Sequence, residues 1–561
     1  MLACMTPRTP TPVDAIADKH FDEVVALSPL MMTSLGLDER QDELDDFSPR
    51  GSDAHCRAAR TALRALSETT PMDDTDTVTV AAMRERLGLR LETHDAAADL
   101  MDVSNIASGL HSIREIFDLM PTATDQNWAT LARRLHAVPT AVDGWLESQS
   151  AGIEAGHRPA IRQVNALADQ CEGWIAPRGF FDRLLERADA SCEDLSTTTR
   201  ESLAQGVAVA TTAYAHAITR LRDAIAPLAV DQDAVGVSRY RLASRHFLGM
   251  TVDLEETYRW GLDQVAQLNA RQEELCSRLR PGMTVAETKK ALDQDPAYLL
   301  HGSDAMRTWM QTKADEAVAH LHGAHFDIPL PAQRIECMIA PTHDGGIYYT
   351  EPSEDFVRPG RMWWSVPEEQ TTFSTWRELT TVYHEGVPGH HLQISAAISN
   401  RESLNTWRRS GIWVSGHGEG WALYAEQLMA DLGYLDDPAM MLGMLDGQAM
   451  RAVRVVIDIG MHCGFAAPTE VGGGEWTFEK ALAYFNANVA MDPAVARFEV
   501  MRYFGWPGQA PAYKIGQRVW TDIRDARRRR DGSAFDLKAF HAQALNLGAL
   551  GLDTLRSALE S

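Results

Sequence analysis

The sequence of 561 residues predicts a mainly α-helical protein with one small antiparallel sheet set just ahead of its most chemically suggestive segment. Three observations predict it. Apolar residues recur three and four apart through most of the chain, the pattern of helices with one buried face. Alternating aromatic and β-branched runs, punctuated by Gly and Pro, are confined to residues 334–368. Hydrophobic content of 45% and charged content of 23% are those of a globular protein with an ordinary core.

The helical segments come first. DEVVALSPLMMTSLGL (22–37), CRAARTALRALSE (56–68), NWATLARRLHAVPTAVDGWLES (127–148), the run 201–229 and the run 255–280 all carry the three-and-four spacing. The strands follow as RIECMIAP (334–341), GIYYTEPS (346–353) and RMWWSVPE (361–368). Helix returns at Ser374, where STWRELTTVYHE opens with hydroxyl caps, and persists to the C-terminus. The expected organisation is an N-terminal helical region, 1–240, and a catalytic region, 241–561. The latter comprises the sheet (334–368), a metal-helix segment (374–396), a helix carrying a third ligand (417–430) and the C-terminal helices. The two are expected to form one integrated unit.

Charge and composition exclude several function classes. A formal net charge of −25 repels phosphate backbones, so nucleic acid is not an expected partner. The basic run RDARRRRDGS (524–533) reads as a solvated helix end whose cations complement the C-terminal carbonyls. No stretch of about 18 apolar residues occurs, so no membrane span is expected. The seven scattered cysteines form no Cys-x-x-Cys pair and read as reduced thiols. Cys4 after Leu2-Ala3 resembles a lipoprotein cleavage site, but no hydrophobic segment precedes it, and the expected location is cytoplasmic. Oligomeric state is not set by the sequence.

The chemistry concentrates in ELTTVYHEGVPGHHLQIS (378–395). A zinc helix of the His-Glu-x-x-His type needs a second histidine four residues after His384, and that position is Pro388. In a straight helix His390 would point away from His384, and His391 would lie about 10 Å further along the axis. Proline alters this, because it lacks an N–H and its ring clashes with the carbonyl four residues back. If GVPG loops out of the helix, with Gly386 and Gly389 supplying backbone freedom, His390 takes the vacant ligand position and Glu385 stays beside the metal. His391 is the alternative ligand. A second cluster, WVSGHGEGWALYAEQLM (413–429), supplies Glu419 as the third ligand from another helix, leaving a fourth position to water. Glu426 lies one helical repeat on, as a supporting partner or a surface carboxylate, and His417 contacts substrate or reads as an ordinary helix residue. Glycines 416, 418 and 420 would allow close backbone approach.

HEGVPGHHLQ, EGWALYAE and RYFGWPGQAPAYKIG together resemble a bacterial family catalogued as domain of unknown function 885, and GIYYTEPSEDFVRPGRMWW and FDLKAFHAQALNLGALGL fit it too. That family is similar to the glutamate-type zinc metallopeptidases, with the two-residue insertion as its departure. The resemblance implies a bilobed helical fold with a deep channel, and a sheet edge around 346–366 that pairs with a peptide substrate. It further implies one zinc ion, Glu385 as the base for a metal-bound water, and Tyr513 as oxyanion donor. Arg502 and Lys514 are candidate carboxylate anchors. Arg451, Arg454, Asp458 and His462 recur at helical spacing in 450–462, where Asp458 and His462 brace the site or form an ordinary helix pair. The function expected is hydrolysis of peptide or related amide bonds. A helical binding protein of the same fold without turnover is the alternative.

Overall fold

The computed structural model describes residues 8–192, 194–340, 346–367 and 369–560. Among them are 23 α-helices and five short strands. The strands are β1 (Leu299–His301), β2 (Ile335–Ile339), β3 (Ile347–Thr350), β4 (Gly360–Trp364) and β5 (Thr372–Ser374). The protein is mainly α, as its periodicity predicts.

The small sheet has the order β2-β4-β3, and this corrects one detail of the expectation. β3 and β4 are antiparallel, but β2 and β4 are parallel, so the sheet is mixed. β4 enters between its two predecessors, leaving β3 at an edge. A second ribbon pairs β1 with β5. Its strands are three residues each, too short for any alternation to register in the sequence.

Three hydrophobic cores hold the elements. One is confined to residues 101–225, built on the long helices Asp125–Glu154 and Thr197–Arg220. A small one joins helix Ser303–Leu321 to the inner face of the sheet through Met306, Met310, Cys337, Met362 and Trp364. The largest runs from Val13 to Leu559 and gathers Phe21, Leu66 and Met83 with Trp421, Val455 and Leu552. Most buried apolar residues of the first hundred thus join the core of the C-terminal half, while Leu30, Leu44 and Phe47 pack against the core that follows them.

Six helices of the C-terminal half line a cavity of about 1200 Å³. They are Thr375–Glu385, His390–Ser399, Ser415–Asp431, Pro438–Cys463, Pro493–Gly505 and Ala512–Asp531. Residues 346–351 of the sheet edge and residues 118–120 and 122 from the N-terminal half complete its walls. Helices Ser415–Asp431 and Ala512–Asp531 cross through glycine. A Cβ on Gly516 would sit 2.0 Å from the Gly416 carbonyl oxygen, and one on Gly420 would sit 2.5 Å from the Gly516 backbone. No side chain fits either place, so the crossing distance of these helices is fixed by the absence of one. Gly516→Val is expected to destabilise the fold by about 3 kcal/mol through overpacking, read from denaturant unfolding curves.

Candidate metal centre

The helix that carries His384 stops at Glu385, and after four intervening residues a new helix, His390–Ser399, starts. Gly386 (φ −94°, ψ −128°) leaves the helical region, the Val387–Pro388 bond is cis, and Gly389 folds back under the helix end. Its N–H donates to the Tyr383 carbonyl at 3.0 Å, and a Cβ there would lie 1.9 Å from the His384 carbonyl oxygen. The Pro388 carbonyl accepts from the Trp421 indole at 2.8 Å, which pins the loop to helix Ser415–Asp431.

This break brings His390 to His384. Their rings stand perpendicular with centres 4.8 Å apart. His384 Nε2 lies 3.3 Å and His390 Nε2 3.4 Å from Glu419 Oε2. The ligand atoms of His384, His390 and Glu419 all fall within 4.8 Å of one another, both histidines are buried, and the group could hold a metal ion.

The surrounding hydrogen bonds fit a cation. Glu426 accepts from His384 Nδ1 at 2.8 Å and from Thr380 Oγ1 at 2.5 Å. With Nδ1 donating, the neutral imidazole turns its Nε2 lone pair toward Glu419, acceptor against acceptor, and only a positive species between them makes that contact favourable. Without a metal the proton fills this role. Burial opposes an imidazolium, but the hydrogen bonds to Glu419 and Glu426 outweigh it, and His384 is held up to about 9. Burial likewise opposes ionisation of Glu419, yet His390 and His384 keep it well below the usual carboxylate range. His390 Nδ1 is buried without a partner. Glu385 lines the same cavity, and burial pushes its carboxyl up while His384 and His390 pull it down.

His391, the alternative ligand, faces elsewhere and is not in the converging group. Its Nδ1 meets the Tyr349 hydroxyl at 2.8 Å and its Nε2 the Ala332 carbonyl at 2.9 Å. It ties the new helix to the sheet. Tyr513 lines the cavity with the Arg454 guanidinium 4.9 Å from its ring centre, and burial raises its pKa. Arg502 also lines it, paired with Glu499 at 3.0 Å.

Four expected residues lie away from the cavity. His417 precedes Glu419 by two positions and so points to another side of the helix. It packs 5.3 Å from Trp520, accepts from Gln393 at 3.2 Å, and is pushed down to about 3 by burial. Lys514 follows Tyr513 and faces a smaller cavity, where it donates to Gln448 at 2.7 Å and Gln517 at 2.8 Å. Asp458 and His462 do not bond each other. Asp458 accepts from the Tyr240 hydroxyl at 2.6 Å and from Gly508 N–H at 3.0 Å. His462 donates to the Tyr503 carbonyl at 2.9 Å. Both hold the C-terminal segment rather than the centre. Sequence reasoning missed Thr380, although its spacing of four from His384 marks it as sharing that face. It also missed Tyr349, for which no local signal exists.

One divalent ion per chain is expected in elemental analysis of the purified protein. His390→Ala removes it, His391→Ala does not, and Glu426→Gln weakens it about 10–100-fold. Metal affinity rises about tenfold per pH unit up to about 9, since the ion displaces the His384 proton. Metal-free protein behaves oppositely. The raised pKa of His384 contributes stability that is complete below about 6.5 and fades as pH climbs through about 9, measurable by unfolding across that window.

A family model described as a bacterial protein of unknown function, DUF885, matches residues 29–559. The crystal structure of the "putative lipoprotein" from Colwellia psychrerythraea superposes with a TM-score of 0.84 at 22% identity, covering 98% of each chain. A second structure under the same description, of unknown function and from Shewanella oneidensis, gives 0.72 at 16% identity over 98% of this chain and 99% of that one. At these identities the likeness is one of fold. No curated protein matches. The chain thus belongs to the bacterial DUF885 family.

Proposed function

We propose that this protein is a zinc-dependent hydrolase of peptide or related amide bonds. One observation carries the reading: His384, His390, Glu419, Glu385 and Tyr513 all line one cavity, beside the edge strand β3. Two imidazoles and a carboxylate suit zinc. When bound, the ion supplies Lewis-acid polarisation of a carbonyl and makes water more acidic.

The protein's own groups supply the rest. Glu385 takes a proton from the attacking water and returns it to the leaving amine, and burial moves its carboxyl toward the basicity such a task needs. Tyr513 donates to the developing oxyanion, with Arg454 beside its ring to strengthen it as a donor. Glu426 and Thr380 hold the His384 ring in place. A substrate backbone runs along β3, because β4 is paired on both sides while β3 is an edge strand that lines the cavity. A walled cavity favours small or unfolded peptides over folded proteins. The proline that motivated a binding-only reading belongs to the loop that delivers His390, so it speaks as well for turnover.

For location, we propose the cytoplasm, with which the reading of the scattered cysteines as reduced thiols agrees. The lipoprotein description of the two structural relatives favours the cell envelope as the alternative, and fractionation of native cells separates the two.

Glu385→Gln is expected to lower peptide hydrolysis by at least about 10³-fold with metal content intact. Tyr513→Phe lowers kcat about 10²-fold with little change in KM. A wild-type protein that holds metal and cleaves nothing in a peptide library defeats the reading.

A further inference from the structure

Three arginines, Arg451, Arg454 and Arg502, line the cavity around Tyr513. Two of them are well engaged. Arg454 donates to the Tyr503 hydroxyl at 3.1 Å and to Glu499 at 2.8 Å. Arg502 donates to the same Glu499 at 3.0 Å and to Gln509 at 2.5 Å. One carboxylate thus serves two guanidiniums, and positive charge is left over.

Arg451 differs. It sits 3.7 Å from Glu426 and 6.0 Å from the Tyr513 ring centre, with its side chain 14% exposed. It makes no hydrogen bond among the described residues, and its Nε is buried without a partner. Glu426 answers its charge from 3.7 Å without a hydrogen bond, while His384 Nδ1 and Thr380 Oγ1 hold the shorter bonds to its two oxygens. A guanidinium carries five N–H donors, so leaving them without hydrogen bonds in a nearly buried place is costly even beside an opposite charge.

We propose that Arg451, backed by Arg454 and Arg502, receives the free C-terminal carboxylate of a peptide, so that the site trims peptides from that end. The inference rests on the hydrolase reading of the same cavity. The planar guanidinium matches a carboxylate with two parallel hydrogen bonds. The distance fits as well. Only the Glu426 carboxylate and the His384 ring separate Arg451 from the ligand triad, across contacts of 3.7 Å and 2.8 Å. An extended peptide advances about 3.5 Å per residue, so a carboxylate on Arg451 leaves one or two residues before a carbonyl at the triad. Electrostatics supply the selectivity. A chain of net charge −25 repels anions at long range, and the unbonded donors of Arg451, with the charge that Arg454 and Arg502 leave over from their shared Glu499, admit one where a neutral amidated terminus gains nothing.

The test is calorimetric binding to zinc-loaded Glu385→Gln protein, with trialanine, trialanine amide and a tripeptide amide bearing a glutamate side chain. Trialanine is expected to bind at least about tenfold more tightly than either amide. Arg451→Gln brings that ratio to about one, and Arg451→Lys, which keeps the charge, restores part of it. Equal binding of acid and amide, an acid preference that survives in Arg451→Gln, or a glutamate-bearing amide that matches trialanine overturns the proposal. Turnover by wild type separates the two ideas. An Arg451-dependent acid preference without cleavage of any peptide defeats the hydrolase reading and leaves the carboxylate site standing. Equal cleavage of acid and amide defeats the carboxylate site alone.

Discussion

The helix carrying His384 cannot continue past Glu385, and the arrangement of the centre follows from that constraint. Pro388 has no N–H to donate, and its ring would collide with the His384 carbonyl in a continuing helix. The backbone instead leaves at Gly386 and returns beneath the helix end at Gly389, through a space too tight for any Cβ. An unbroken helix would carry His390 about 9 Å along the axis and most of a turn away. The break sets its ring 4.8 Å from that of His384. The same loop sends His391 out to the sheet and gives its proline carbonyl to Trp421, so one irregular turn joins the histidines to the two elements that flank them.

The third ligand arrives by a different device. Glu419 depends on two helices approaching until their backbones touch, and the glycines at 416, 420 and 516 make that possible. Once there, Glu419 enters a buried cluster in which carboxylates outnumber fixed cations. Arg451 stands 3.7 Å from Glu426, whereas Arg454 and Arg502 share Glu499. Buried charge must be balanced. A proton on His384 serves when no metal is bound, and a metal ion held by the same group would compete with it for one place. The arginines on the far wall are the complementary half of that distribution.

The fold that supports these contacts tolerates wide sequence change. Relatives at 22% and 16% identity superpose over nearly the whole chain. Such persistence suits a structure whose largest core threads from Val13 to Leu559, because distant segments constrain one another through it.

The sequence by itself determined the helical class, the position of the small sheet, the break after His384, and that His384 and Glu419 would meet with one of the two following histidines. Each is a local matter: periodicity of 3.6 or 2, the missing N–H of a proline, and the repeat that sets Glu419 and Glu426 on one face. Neighbour relations on a helix also contain the reason that His417 and Lys514 miss the cavity, since each sits one or two positions from a residue that faces it. What only the tertiary structure decided was which of His390 and His391 turns inward, that β2 and β4 run parallel, that Asp458 and His462 serve the C-terminal segment, and that Arg451 is left without a hydrogen-bonding partner. These depend on contacts between residues tens or hundreds of positions apart, such as His391 with Tyr349 or Asp458 with Tyr240. Local periodicity carries no information about such partners, because packing chooses them only when the helices meet.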